Sequence, residues 1–228
     1  MTIIAVDGIR PADTPEDLGD AIRRIEGVRE IRAEIVGRTP FLFNRYFDEK
    51  WAASVIGNKP TNVTLVDEWR RKEAMLRLYE NAEGLCIPSR NIRSAMVAGG
   101  NGVTGKLGRG EEVKIGQFVR EGLIPEPAFI SFLDANGRVL QREDATALHK
   151  DQVRIPPGPK GALVDKYWPK LEVGWVLRFS LLVFDGGLPE EKLLACLTNA
   201  GVFKGIGTGR PDYGKFKVTE WTEVAMLS

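Results

Sequence analysis

The chain has 228 residues, 43% of them hydrophobic and 28% charged, a globular composition with room for one elaborated domain or two small ones. No apolar run approaches the roughly 20 residues that cross a bilayer as a helix; the longest, Val173–Val183, is broken by Gly174, Arg178 and Ser180, which argues against a membrane partner. A net charge of only +1 excludes a surface coated in positive charge, so any affinity for nucleic acid has to come from a local patch.

Residues 1–28 read as a peripheral extension: Met1–Val6 as a short strand, Pro11–Glu16 as a linker, and Leu18, Ala21, Ile22 and Ile25 at helical spacing. Residues 1–10 lack a basic start followed by an apolar stretch, so no secretory signal is expected and the location is cytoplasmic. Ile31, Ala33 and Ile35 alternate with Arg32 and Glu34, predicting a half-buried strand that ends at Gly37. An aromatic loop follows, with Pro40, Phe41, Phe43, Tyr46 and Phe47 interleaved with Arg38 and Arg45; Arg38, Phe43, Arg45 and Tyr46 are expected RNA contacts, Phe43 or Tyr46 as a wedge or stacking surface, and the spacing over Asn62–Tyr79 predicts a helix. Ser89 stands as an N-cap for a short amphipathic helix carrying Ile92, Met96 and Val97. Gly99–Gly110 is too glycine-dense for a regular element and reads as a loop.

Phe129–Leu133 and Arg138–Gln141 flank Asp134-Ala-Asn-Gly137, a hairpin signal because Asn-Gly tolerates positive φ. Pro156–Pro159 reads as a loop. Val173, Trp175, Leu177, Phe179, Leu181 and Val183 share one face of the clearest strand. Pro189 opens a helix carrying Leu193, Leu194 and Leu197, Gly201 closes it, and Lys215–Val224 is the last strand. Cys86 and Cys196 sit in apolar contexts and read as buried, reduced thiols. Without its insertions the order is strand, helix, hairpin, strand, helix, strand. That predicts an α+β, ferredoxin-like (RRM-like) βαββαβ domain over residues 29–228, with a largely helical insertion at 38–84. Its antiparallel sheet carries both helices on one face and leaves the other open for stacked bases.

Gly205–Gly214, bracketed by Lys204, Arg210, Lys215 and Lys217, is the most informative stretch. Glycines such as Gly205, Gly207 and Gly209 let backbone amides approach an anion, Arg210 can add a charge-assisted phosphate contact, and Tyr213 can stack on a base. The competing reading is a flexible turn before an edge strand. Gly99–Gly110 contains formal fragments of dinucleotide and P-loop fingerprints, but it follows a helix and has Leu107 where Ser or Thr should hold magnesium. A disordered loop that settles on nucleic acid through Lys106 and Arg109 fits better. Arg90 and Arg93 fall on the first turn of a helix, where phosphate is attracted, or else on a solvated polar face. The lone His149 and Asp48 are weak catalytic candidates, and Cys86, Cys196 and His149 lack any metal-ligand spacing. No cofactor is expected.

Ile87-Pro-Ser-x-x-Ile-Arg-Ser94 ahead of the first helix, with Gly205-Ile-Gly-x6-Gly214-x-Phe216 before the last strand, resembles the RAMP superfamily of CRISPR-associated RNA-binding proteins. In that superfamily an Ile-Pro-Gly-Ser-Ser-Leu-Lys-Gly segment opens the first helix and a glycine-rich loop precedes the last strand. The likeness spans roughly residues 29–224 and is nearest the backbone subunits, with 38–84 as the thumb-like insertion. Ser89-Arg90-Asn91 departs from the usual small-residue run, and the Gly99–Gly110 loop is longer. The resemblance implies that Arg90, Arg93 and Gly205–Gly214 face the backbone of a single-stranded guide RNA. It further implies head-to-tail contact with copies of the chain and with other CRISPR effector subunits, and names Asp48 as the one aspartate placed for target cleavage. Alternatives are an endoribonuclease of the same superfamily using His149 as general acid or base, and a single-stranded DNA-binding protein of a mobile element.

Overall fold

The computed structural model describes residues 28–106, 112–155, 162–184 and 188–224. The expectations for the N-terminal extension through residue 27, for Arg109 and for the Pro156–Pro159 loop lie outside these residues. In chain order come β1 (Val28–Gly37), β2 (Phe41–Leu42), α1 (Glu49–Ile56), α2 (Val63–Met75), β3 (Cys86–Pro88) and α3 (Arg90–Gly99). The hairpin strands β4 (Thr104–Lys106) and β5 (Glu112–Lys114) lead into α4 (Ile115–Gly122), β6 (Leu123–Glu126) and β7 (Phe129–Leu133). A long hairpin, β8 (Leu148–Ile155) and β9 (Ala162–Leu171), precedes β10 (Val176–Phe184), α5 (Glu190–Asn199) and β11 (Phe216–Val224).

β1 lies between β10 and β11, antiparallel to both, and β6 and β7 run along the far edge of β10 as two halves of an interrupted strand. Taken with α3 after β1 and α5 before β11, this is the ferredoxin-like split βαβ order, fourth strand beside first, first beside third, third beside second. The second strand is β6 and β7 together, not the 129–141 hairpin alone. After the turn at Gly137 (φ +84°) the return segment makes only the Leu133–Val139 bridge.

Period-two alternation sends Ile31, Ala33 and Ile35 of β1 and Leu177, Phe179, Leu181 and Val183 of β10 to one face. There they meet Ile92, Ala95 and Met96 of α3 and Leu193, Cys196 and Leu197 of α5. Each buried aliphatic side chain contributes about 1.5–3 kcal/mol against exposure. Cys86 and Cys196 are buried and unpaired, and burial pushes both thiols up to about 11. Val173, expected on the buried face, is 58% exposed because it precedes the strand at a tight turn.

The opposite sheet face differs from expectation. It presents no aromatic platform in the centre but a weave of ion pairs and hydroxyls. Arg178 donates to Glu34 at 2.7 Å, Thr219 donates to the same carboxylate at 2.7 Å, and Ser180 donates to Glu30 at 2.6 Å. Carboxylates already satisfied in this way repel a phosphodiester strand. The Arg178 and Thr219 hydrogen bonds hold the Glu34 carboxyl below its usual value, and Arg138 does the same for Asp144 with a two-pronged contact at 3.0 and 3.1 Å. Because these groups are depressed in the folded state, their contribution is present at neutral pH and is lost as pH falls through the folded values. Thermal melts are therefore expected to be flat near neutrality and to drop from about pH 4 downward, with a shallower acid limb in Arg138→Gln.

Residues 38–84 do not stand alone. β2 pairs with β9, and Tyr167 of β9 donates to Asp67 of α2 at 2.5 Å while Arg71 lies 5.0 Å over the Tyr167 ring. The insertion and the β8–β9 hairpin form one lobe beside the ferredoxin-like sheet.

Candidate nucleic-acid interface

α5 ends in a π turn, Ala200–Lys204, closed by the Gly205 amide donating to the Ala200 carbonyl at 2.8 Å. Gly201 is therefore not the stop expected from the sequence; it is buried inside that turn, and Gly205 (φ +72°) ends the helix. The wider turn rotates Val202 and Phe203 outward, leaving Phe203 63% exposed beside Lys204. Phe203 escaped sequence reasoning because a straight continuation of α5 hides it among helical positions.

From Gly205 the chain folds back on the segment joining β1 to β2. The amides of Ile206, Thr208, Tyr213 and Gly214 donate to the carbonyls of Gly214, Leu42, Gly209 and Pro40 at 2.9, 3.2, 3.2 and 2.8 Å. Gly214 (φ +70°) packs so closely that a Cβ would lie 1.8 Å from the Ile206 carbonyl oxygen. These four amides are committed to carbonyls and fix the loop as a platform for its side chains. Lys215 is tied in by its amide donating to Thr39 Oγ1 at 2.9 Å, and the Arg38 amide donates to the Lys215 carbonyl at 2.7 Å.

The platform walls an open cleft of about 550 Å³ lined by Ala98, Phe203, Lys204, Thr208, Arg210 and Pro211, with Gly207 and Gly209 in its floor. Ala98 belongs to α3, whose exposed Arg90 and Ser94 precede it at intervals of four residues and so share its stripe. Arg93, half-buried, sits on the neighbouring stripe. Ser89 does not cap α3: its backbone is already helical and its hydroxyl makes no cap bond, the Asn91 amide donating to Pro88 O at 3.0 Å instead.

Ion pairing divides the cations into two groups. Among the described residues, Arg38, Arg45, Arg90, Arg93, Lys204, Arg210 and Lys215 make no ion pair. Arg71, Lys72, Arg77, Arg138, Arg142, Lys150, Lys170 and Arg178 each hold a carboxylate. Lys50, Lys59, Arg70, Lys106, Lys114, Arg120, Lys166, Lys192 and Lys217 also make no ion pair among the described residues, so it is position on the cleft, not lack of a partner, that marks Lys204 and Arg210.

Several expected contacts fall elsewhere. Phe43 is fully buried, its ring 4.8 Å from Phe41 and 5.4 Å from Phe132, so it cannot stack on a base. Its neighbour Tyr46 is 87% exposed. Arg45 lies 5.8 Å over Trp51, on the lobe. Tyr213 is half-buried, its ring 4.8 Å from His149 and its hydroxyl 3.3 Å from His149 Nδ1, while His149 stacks on Trp168 at 5.9 Å. His149 thus joins the β8–β9 hairpin to the glycine-rich loop. Asp48 Oδ1 accepts from the Lys50 and Trp51 amides at 2.9 and 3.1 Å, capping α1. Asp48→Ala should cost about 1 kcal/mol in the lobe and leave nucleic-acid affinity unchanged, read by chemical denaturation and titration.

Of the Gly99–Gly110 segment, the described residues run through Lys106. Gly99 ends α3 against α5, where a Cβ would sit 2.2 Å from the Cys196 carbonyl, and exposed Lys106 lies in β4, paired with β5. Gly99 and Gly100 allow the helices to cross closely.

No family model and no curated protein matches the chain. Among solved structures, it is similar to a chain of the Type III-B Cmr-beta bound to cognate target RNA, with a TM-score of 0.49 and 11% identity over 93% of this chain. It spans just under two thirds (66%) of that chain. Cmr6 from Pyrococcus furiosus is similar at a TM-score of 0.42 and 10% identity, over 85% of this chain and 98% of that one. Csc2 from Thermofilum pendens follows at 0.31 and 11%, over 96% and 72%. No helix among the described residues is long and apolar enough to cross a membrane.

Proposed function

We propose that this chain is an RNA-binding subunit of a CRISPR-type ribonucleoprotein effector. It holds a single-stranded guide RNA by its phosphates and associates head-to-tail along it with copies of itself and with other effector subunits. The observation that carries this is the open cleft beside α3 in which exposed Lys204, Arg210 and Phe203 come together on the glycine-rich loop. Lys204 and Arg210 meet phosphates at the cleft mouth, and Arg90 extends the track along α3. Of the two sequence segments that resemble the RAMP superfamily, Gly205–Phe216 supplies cleft-lining residues, and Ile87–Ser94 leads into α3, whose Ala98 lines the other side. Phe203 offers an exposed ring on which one base stacks. A head-to-tail contact uses different surfaces on the two copies, which an open array requires.

The test is purification of the full chain with its bound nucleic acid, followed by a salt titration of a labelled single-stranded RNA. Co-purifying RNA in a nuclease-sensitive oligomer, and an affinity that falls steeply with salt and depends weakly on sequence, support the reading. Salt-independent affinity, or preference for DNA of the same sequence, overturns it. Phe203→Ala should weaken RNA binding by about 1–3 kcal/mol, about five- to 150-fold, without lowering stability.

A further inference from the structure

A second cavity, of about 450 Å³, lies away from the glycine-rich cleft, between α1, α2 and β9. That volume falls in the range of small-molecule sites, about 300–1,000 Å³. Its lining mixes the flat rings of Phe47 and Trp69 with cations, Arg70, Arg77 and Lys166 among them, and with the carboxylates of Glu49, Glu73 and Asp165. The Trp69 ring is fixed by its Nε1 donating to the Gly57 carbonyl at 2.9 Å, and Phe47 carries the Arg77 guanidinium at 4.8 Å.

The charges do not balance locally. Glu73 is already taken by Arg77 at 3.1 Å, and Asp165 by Lys150 at 2.9 Å. Lys166 and Arg70 make no ion pair among the described residues. The Lys166 ammonium rests 5.3 Å from the Trp168 ring, and burial, with Arg77 near it, pushes it below the usual lysine value. A half-buried ammonium held down by burial and by a neighbouring cation gains from an incoming anion. The rings beside it favour a ligand with a flat aromatic body over an aliphatic one.

We propose that this cavity binds one phosphorylated nucleoside, its phosphate on Lys166 and Arg70 and its base among Phe47 and Trp69. The site is separate from the cleft of Lys204 and Arg210 and stands or falls independently of the RNA-binding reading. The probe is adenosine 5′-monophosphate, titrated into the full chain at low salt beside inorganic phosphate and adenosine. The expected result is saturable binding of the nucleotide at least tenfold tighter than either fragment. Lys166→Gln should weaken it at least tenfold and Arg70→Gln at least threefold, while the Lys204→Glu, Arg210→Glu pair leaves it within twofold. Arg70→Gln keeps the test decisive where Lys166→Gln fails to fold. Absence of saturable binding overturns the proposal. So does loss of binding in the Lys204, Arg210 pair with none in Lys166→Gln and Arg70→Gln, which assigns the nucleotide to the cleft. Equal affinity for phosphate alone, or binding of an acidic peptide in place of the nucleotide, overturns it as well.

Discussion

Replacing Lys204 and Arg210 together by glutamate is expected to weaken single-stranded RNA binding at least about 150-fold at 0.1 M salt, with the fold intact. Both side chains are exposed at the mouth of the cleft and pair with no carboxylate among the described residues, so their loss removes no internal support. Each charge-assisted phosphate contact is worth about 1.5–3 kcal/mol, and two reversed charges add repulsion. Losing two phosphate contacts should also flatten the slope of log affinity against log salt by about 1.4 for a single strand. The matched control is Arg32→Glu on the opposite sheet face, where Arg32 lies 3.7 Å from Glu30 amid a carboxylate-rich weave. That change should alter affinity less than about threefold, since its net-charge effect is screened beyond roughly 10 Å at 0.1 M salt. Equal losses in both variants would mean that overall charge, not the cleft, attracts RNA. No loss in the double variant would remove the cleft from the interface.

What the sequence made legible, and what it hid, divides along the source of each element's stability. β1, β10 and β11, with α3 and α5, announce themselves because one face is apolar at the right period and that face is the core. The β8–β9 hairpin has no such pattern. Leu148–Ile155 carries Lys150, Asp151 and Arg154, and its partners across the ladder include Tyr167, Lys166 and Asp165. It is held by backbone pairing and by contacts such as Lys150 to Asp165, which leave no hydrophobic period to read. α4 was hidden because Gly116 and Gly122 sit inside an eight-residue helix. Within the site, Gly205–Gly214 was found by its glycines and charges, yet their roles shifted. The glycines allow close packing and the exposed side chains face outward. Phe43 was misplaced because arginines nearby made the whole segment look solvent-facing, while its ring closes an aromatic cluster with Phe41 and Phe132. Phe203 was missed because a π turn changes which way a residue points without changing composition.

The rigidity of that loop gives the second large effect, on stability. Gly214→Ala is expected to cost at least about 3 kcal/mol in chemical denaturation, with the denaturant dependence unchanged. A left-handed φ of +70° disfavours alanine by roughly 1–2 kcal/mol. The new Cβ would then meet the Ile206 carbonyl oxygen at 1.8 Å, a backbone atom that cannot swing aside. Moving it breaks the 2.9 Å bond between the Ile206 amide and the Gly214 carbonyl and displaces Ile206, whose side chain is buried in the core. Gly102→Ala is the counterpart, since a Cβ there enters open space and its φ is ordinary, so its effect should stay within about 0.5 kcal/mol. Because Arg210 rides on the same loop, the folded fraction of Gly214→Ala should also bind RNA about tenfold less well, although no phosphate-contacting side chain has changed. A Gly214→Ala protein with wild-type stability would mean that the loop relaxes freely, and the cleft would then be shaped by its ligand instead of by the packing of its glycines.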